Sequence, residues 1–240
     1  MVIKLISAPM FNDTSRNVET LRRSMDENRG VDLLVFGEAF LQGFDGLTWD
    51  VEEDKDIALS LQDDVIKVLR GLAEEHSVAV SFGFYEKEQR NIYSSNLCID
   101  KNGDVLDVYR RVSKTWTPEH AGRHYKTGDD FHTFHFMDKK LLMAICGDLW
   151  FAENLDRINE LEPDLILWPL YIDYSIEEWS RGEKDEYARQ VSGLNAPVLM
   201  VNSFLQESKG AVGGAYLFDG GAIKDSLPLG EIGSLTITIE

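Results

Sequence analysis

Leu141-Leu-Met-Ala-Ile-Cys146-Gly-Asp148 is the stretch on which the fold turns. Its apolar run is too short for an ordinary helix and ends on Gly-Asp, so it reads as a buried strand passing into a turn. The same arrangement occurs twice upstream. Leu33-Leu-Val-Phe-Gly37 delivers Glu38, and Val108-Tyr-Arg-Arg111 leads to Lys114. In α/β sheets the carboxyl ends of strands open into the crevice where ligands bind, so these three reactive side chains are expected to converge.

The flanking sequence supports sheets covered by helices. Val2 to Ala8 is a short β-rich run, and Asp13-Thr14 starts a helix carrying Val18, Leu21 and Met25, closed by Gly30. Asp32 to Phe36 is a strand, followed by a helix with Leu61, Val65, Val68, Leu69 and Leu72 on one face, ending near His76. Val78 to Tyr85 and Ile92 to Ile99 are strands with no helix between them, and Asn102-Gly103 is a hairpin turn because both residues tolerate positive φ. Strands follow at Asp164 to Trp168 and Val198 to Val201, with helices at Ala152 to Leu161 and Ile176 to Leu194. Three short strands close the chain: Ala215 to Phe218, Ala222 to Ser226 and Ser234 to Ile239. The pattern fits one doubly wound sheet or two sheets packed face to face. Gly210 to Gly214 lacks the spacing and Lys of a phosphate-binding loop and reads as a surface loop.

Composition narrows the function. With 240 residues, 43% of them hydrophobic, and no low-complexity linker, a single domain over residues 1–240 is expected. The 24 basic and 42 acidic residues give a net charge of −18, which repels phosphate backbones and anionic lipid, so neither nucleic acid nor a membrane is an expected partner. Cys98 and Cys146 lie in apolar stretches with no secretory leader ahead of them, which suggests a reducing, cytoplasmic address rather than a disulfide framework. His132 and His135 lie close together in the sequence, but no carboxylate or Cys pattern completes a metal site around them.

Each candidate residue also has an ordinary reading. A lone strand cysteine is commonly inert packing, but Cys146 stands at a strand-to-helix turn where a helix N-terminus would favour thiolate, and Gly147 leaves a backbone N–H open to a reacting oxygen. Glu38 is a carboxylate among apolar neighbours, suited to general-base work if it is not one half of a structural ion pair. Lys114 would be a surface lysine by default, and beside a thiol it would hold an oxyanion.

Val35-Phe-Gly-Glu38-Ala-Phe40, Val108-Tyr-Arg-Arg-Val-Ser-Lys114 and Ile145-Cys146-Gly-Asp-Leu-Trp-Phe-Ala-Glu153 resemble, in this order, the Glu, Lys and Cys motifs of the nitrilase (carbon-nitrogen hydrolase) superfamily. Leu165-Ile-Leu-Trp-Pro169, Pro197-Val-Leu-Met-Val-Asn202 and Gly213-Gly-Ala-Tyr-Leu-Phe-Asp219 extend the resemblance along almost the whole chain. It implies an α/β fold of the four-layer α-β-β-α sandwich type, paired into a homodimer or higher homo-oligomer. It also implies hydrolysis of a small-molecule amide through a thioester, with Cys146 as nucleophile, Glu38 as proton relay, Lys114 with the Gly147 N–H on the oxyanion, and no cofactor or metal. The family's lysine usually follows a Tyr-Arg pair directly, which lands on Arg111, whereas counting back from Gly128-Asp129 lands on Lys114. Lys114 is taken because a compact ammonium can donate to an oxyanion and titrate, whereas Arg would be a chemical change. The family's second Glu falls on Glu119, the only Glu in that interval. Cys-Gly-Asp resembles the amidase and carbamoylase branches more than true nitrilases, and Trp150 stands where relatives often carry Arg, a substrate-facing place. The alternative is a degenerate member retained as a binding protein.

Overall fold

The computed structural model describes residues 1–205 and 210–240. β1 (Val2–Ser7) and β2 (Pro9–Met10) open the chain. Asp13 caps α1 (Thr14–Glu27), its carboxylate accepting from the Ser15 and Arg16 N–H groups that the first turn leaves without helical partners. β3 (Leu33–Val35) leads through irregular backbone to the single turn α2 (Val51–Asp54) and to α3 (Asp64–His76). The buried face of α3 is Ile66, Leu69 and Ala73. Leu61 precedes the helix, and Val68, expected on the core face, is 51% exposed.

β4 (Ala79–Glu88), β5 (Asn91–Ile99) and β6 (Val105–Arg110) form an antiparallel meander, and Gly103 takes φ +78° in the expected turn. β7 (Tyr125–Lys126), β8 (Thr133–Phe136) and β9 (Lys139–Met143) precede the nucleophile turn. α4 (Ala152–Glu160) and β10 (Leu165–Leu170) follow it. The expected helix from Ile176 is interrupted: α5 (Ile176–Glu178) runs into a wide π-type stretch, Trp179–Glu183, before α6 (Lys184–Gln190). That stretch carries the buried Trp179, whose indole N–H donates to the Tyr216 hydroxyl at 2.6 Å. β11 (Val198–Asn202), β12 (Phe204–Leu205), β13 (Ala215–Asp219), β14 (Ala222–Leu227) and β15 (Gly233–Thr238) complete the chain.

Two sheets result. One runs β15-β1-β3-β4-β5-β6, with β7 on β5; the other runs β14-β13-β11-β10-β9-β8, and β2 pairs with β12. Period-two alternation sends Leu33 and Val35 into the core between the sheets, with Leu141, Leu167 and Phe218 from the other side. Leu34, Phe36, Val80 and Phe82 turn outward onto Leu21 and Met25 of α1 and Ile66 and Leu69 of α3. Ile158 of α4 and Tyr187 of α6 cover the second sheet, giving the expected α-β-β-α order. Of the two architectures that the pattern left open, the face-to-face sandwich forms. Among the described residues no helix is long and apolar enough to cross a membrane.

Candidate active site

The inner face of the first sheet changes character toward one end. Ser81, Ser94 and Asn96 are buried there instead of aliphatic residues, and a Cβ on Gly83 would come 2.8 Å from the Glu38 Cα. Small residues on β4 thus make room for the turn after β3. That turn is tied to both sheets: Gly83 N–H donates to the Gly37 carbonyl at 3.2 Å, Glu38 N–H to Leu170 at 3.2 Å, and the Ser203 hydroxyl to the Glu38 carbonyl at 2.9 Å. Glu38 therefore sits in the cleft between the sheets, 2% exposed.

Its Oε1 accepts from Arg111 Nη1 at 2.8 Å and from the Ser94 hydroxyl at 3.3 Å. Oε2 is buried with no hydrogen-bond partner. An acceptor left unpaired in the interior is costly, so this oxygen is open to a water or a ligand that reaches it. The cation beside Glu38 is Arg111, 4% exposed, whose backbone N–H donates to the Ser94 carbonyl at 2.9 Å. Burial works against the charge of Arg111, but Glu38, then Cys146 and Asp148, outweigh it and hold the guanidinium above the ordinary arginine range.

Cys146 follows β9 in a left-handed backbone conformation, φ +43°. The Trp168 indole N–H fixes its carbonyl at 2.8 Å, and its Sγ lies 4.0 Å from the Tyr171 carbonyl. α4 begins at Ala152 as expected, but the 3-10 turn Cys146–Trp150 intervenes, so Cys146 is not at that helix's N-terminus. The thiol is accordingly not activated at rest. Burial first, and then the charge of Glu38, push it up to about 12, with Arg111 pulling the other way; a side-chain hydrogen bond to Glu38 adds to the rise. Glu38 and Cys146 therefore lie near enough for the carboxylate's charge to act on the thiol.

Asp148 locks the two halves of this arrangement together. Fully buried, it accepts from Ser113 N–H at 2.7 Å on one oxygen, and from the Tyr109 hydroxyl at 2.7 Å and Ile145 N–H at 2.9 Å on the other. Burial raises its pKa against the pull of these bonds. The carboxylate thus joins the exit of β6 to the turn carrying Cys146. Gly147 lies against the arginine, where a Cβ would come 2.5 Å from Arg111 Nη2.

The structure corrects two expected positions. Lys114 is exposed on a 3-10 turn, Lys114–Trp116, and its side chain has no hydrogen bond or ion pair among the described residues. The backbone leaves β6 at Arg110 in extended form, so the first basic side chain past the strand points inward and the later one outward. Glu119 is likewise exposed and joins neither Glu38 nor Cys146. Trp150 is 37% exposed and packs edge-on to Tyr187 at 4.9 Å, with Tyr187 in turn stacked on Trp168 at 5.4 Å. Trp116 is buried with Trp49, Tyr85 and Tyr125, and Tyr171 stacks on Phe44 at 3.7 Å. Ser94, Ser113, Thr115 and the Asp148 clamp had no sequence signal beyond the Gly-Asp after the cysteine.

The carbon-nitrogen hydrolase family model matches residues 5–179, and the chain belongs to that family. Within it, the relatives place the chain beside the amidase and carbamoylase branch. The chain is 30% identical over 162 residues to the "probable nitrilase" of Schizosaccharomyces pombe, covering 64% of this chain and 57% of that protein. It is 27% identical to an (R)-stereoselective amidase from Pseudomonas sp, covering 70% and 59%. The chain thus spans less than two thirds of the length of these relatives. Among solved structures, the amidase of Nesterenkonia sp. AN1, captured after Michael addition of acrylamide at its active site cysteine, superposes with a TM-score of 0.79 at 17% identity, over 100% of this chain and 93% of that one.

Proposed function

We propose that the protein is a cysteine-dependent hydrolase of non-peptide carbon-nitrogen bonds, acting on a small-molecule amide through a thioester. The observation that carries this reading is the placing of Cys146 near a buried Glu38 carboxylate that keeps one oxygen free and is paired with the buried Arg111. Because the thiol rests protonated, its proton passes to Glu38 as sulfur attacks the amide carbon. The Gly147 N–H and Arg111 take the developing oxyanion, the role that the family resemblance implies for Lys114. Glu38 then returns the proton to the departing nitrogen, releasing ammonia from a primary amide and leaving the acyl thioester. Water, deprotonated by Glu38, attacks the thioester; the acid leaves and the thiol regains its proton. The amidases among the relatives support the substrate class.

A second reading, a binding protein without turnover, is favoured by one observation: the cation on Glu38 is an arginine. Ammonia release from a panel of small amides, with intact mass taken after brief mixing, separates the two. An acyl adduct that is absent from Cys146→Ala supports the hydrolase. Tight amide binding with neither adduct nor ammonia supports the second reading.

A further inference from the structure

We propose that Ser113, Thr115 and Gly147 form a cradle cut for a guanidinium, so that Arg111 is a non-titrating partner of Cys146 for which lysine is no substitute. The proposal rests on the hydrolase reading above and adds to it two positioning residues and a pH signature.

A guanidinium offers five N–H donors in one plane. In Arg111, Nε donates to the Ser113 hydroxyl at 2.8 Å, Nη1 to Glu38 Oε1 at 2.8 Å, and Nη2 to the Thr115 hydroxyl at 2.6 Å. Each nitrogen faces a different acceptor, which fixes both the position and the rotation of the plane. Two N–H groups remain, one on each terminal nitrogen. Nη2 is also the atom that a side chain at Gly147 would strike, with Thr115 and Ser113 the other two contacts. The free Nη2 N–H is thus held beside the residue that follows the nucleophile.

An ammonium is a single donor atom. Placed centrally among acceptors that each face a different guanidinium nitrogen, it would sit outside normal hydrogen-bond reach of them. Drawn toward Glu38, it would leave Ser113 and Thr115 unpaired and withdraw from Gly147. The charge behaves differently as well, since arginine stays protonated at every pH the fold survives whereas a lysine can lose its proton. The oxyanion partner of this protein should therefore contribute no alkaline limb to its rate.

The test uses the full chain with 15N-labelled arginine, the Arg111 signals being identified by their loss in Arg111→Lys. Wild type should show a guanidinium whose Nη protons are resolved because rotation is hindered. Thr115→Val should average them and lower kcat about 10-fold with KM within about two-fold, and Thr115→Ser should restore both. Arg111→Lys should lose on the order of 10²-fold in kcat and acquire an alkaline limb. Thermal melts establish that each variant is folded. A freely rotating guanidinium in wild type, or Arg111→Lys turning over at the wild-type rate with no alkaline limb, overturns the proposal. Should wild type release no ammonia from any amide, the hydrolase reading falls, and the guanidinium spectra of wild type, Thr115→Val and Thr115→Ser still decide the cradle.

Discussion

Cys98 and Cys146 both lie on the core between the sheets, and burial raises both thiols. Cys98 sits within β5 beside a bulge in its pairing with β6, opposite Ser81 on one side and Asp107 on the other, and the carboxylates near it, Asp107 and Asp100, only add to the rise. Cys146 stands just past a strand end, where burial and the Glu38 carboxylate raise its thiol and the Arg111 guanidinium acts against the rise. Depressed acidity therefore does not separate the reactive thiol from the inert one. What separates them is the paired carboxylate and guanidinium near Cys146, and solvent access: Cys98 is 1% exposed, whereas Cys146 is partly exposed.

The largest effect that tests this contrast is the pair of alanine variants. Cys146→Ala should lower amide turnover on the order of 10³-fold or more in a folded protein. Cys98→Ala should cost about 1 kcal/mol in urea unfolding while turnover per folded molecule persists. Equal losses of turnover would remove the distinction. Glu38→Gln comes next, with a rate loss on the order of 10³-fold, because an amide cannot carry the proton. The same substitution removes a charge that pushes the Cys146 thiol up, so the midpoint of iodoacetamide labelling should move down from about 12. In wild type, labelling of native Cys146 should be slow at neutral pH and rise toward that value, with Cys98 labelled only after denaturation. Fast labelling of native Cys146 near pH 6 would contradict the resting thiol.

The smallest effect lies behind Cys98. Asp107 accepts from His132 at 2.7 Å, and that contact holds the imidazole above its ordinary value of 6.5. A histidine whose folded pKa is raised stabilises the fold fully below the unfolded value and loses that contribution as pH rises through the folded one. The side chain is 46% exposed, so solvent screening limits the gain. His132→Gln should therefore cost less than about 1 kcal/mol at pH 6 and nothing measurable at pH 9, as read by urea midpoints. A deficit constant across this range would assign the loss to packing.

Glu38 and Cys146 were legible in the sequence because each closes an apolar run, and the end of a strand is where a side chain passes from core to cleft. The sandwich was legible through the resemblance, and its strands through alternation, as with Leu33 and Val35 against Leu34 and Phe36. Arg111 and Lys114 were not separable, since the path of the chain between β6 and the 3-10 turn decides which side chain turns inward, and composition does not record that. Asp148 was visible only as a letter after Gly147. Its partners Ser113 and Tyr109 lie 35 and 39 positions away, brought to it by the packing of one sheet on the other. The acidity of Cys146 is not legible from the strand and turn, because burial and then a neighbouring carboxylate outweigh a 3-10 turn too short to act as a helix terminus.

The left-handed backbone at Cys146 sets a trade-off between durability and work. An L-residue held there gives up roughly 1–2 kcal/mol that glycine would not. Replacing Cys146 by glycine should accordingly relax the turn, so that the most heat-resistant version of this chain at that position is one that has surrendered its nucleophile. Ala39, Trp49, Ser77, Gln89, Met137 and Glu162 also hold positive φ, so the conformation alone does not mark a function; at position 146 it is the proposed nucleophile that would account for keeping a side chain there.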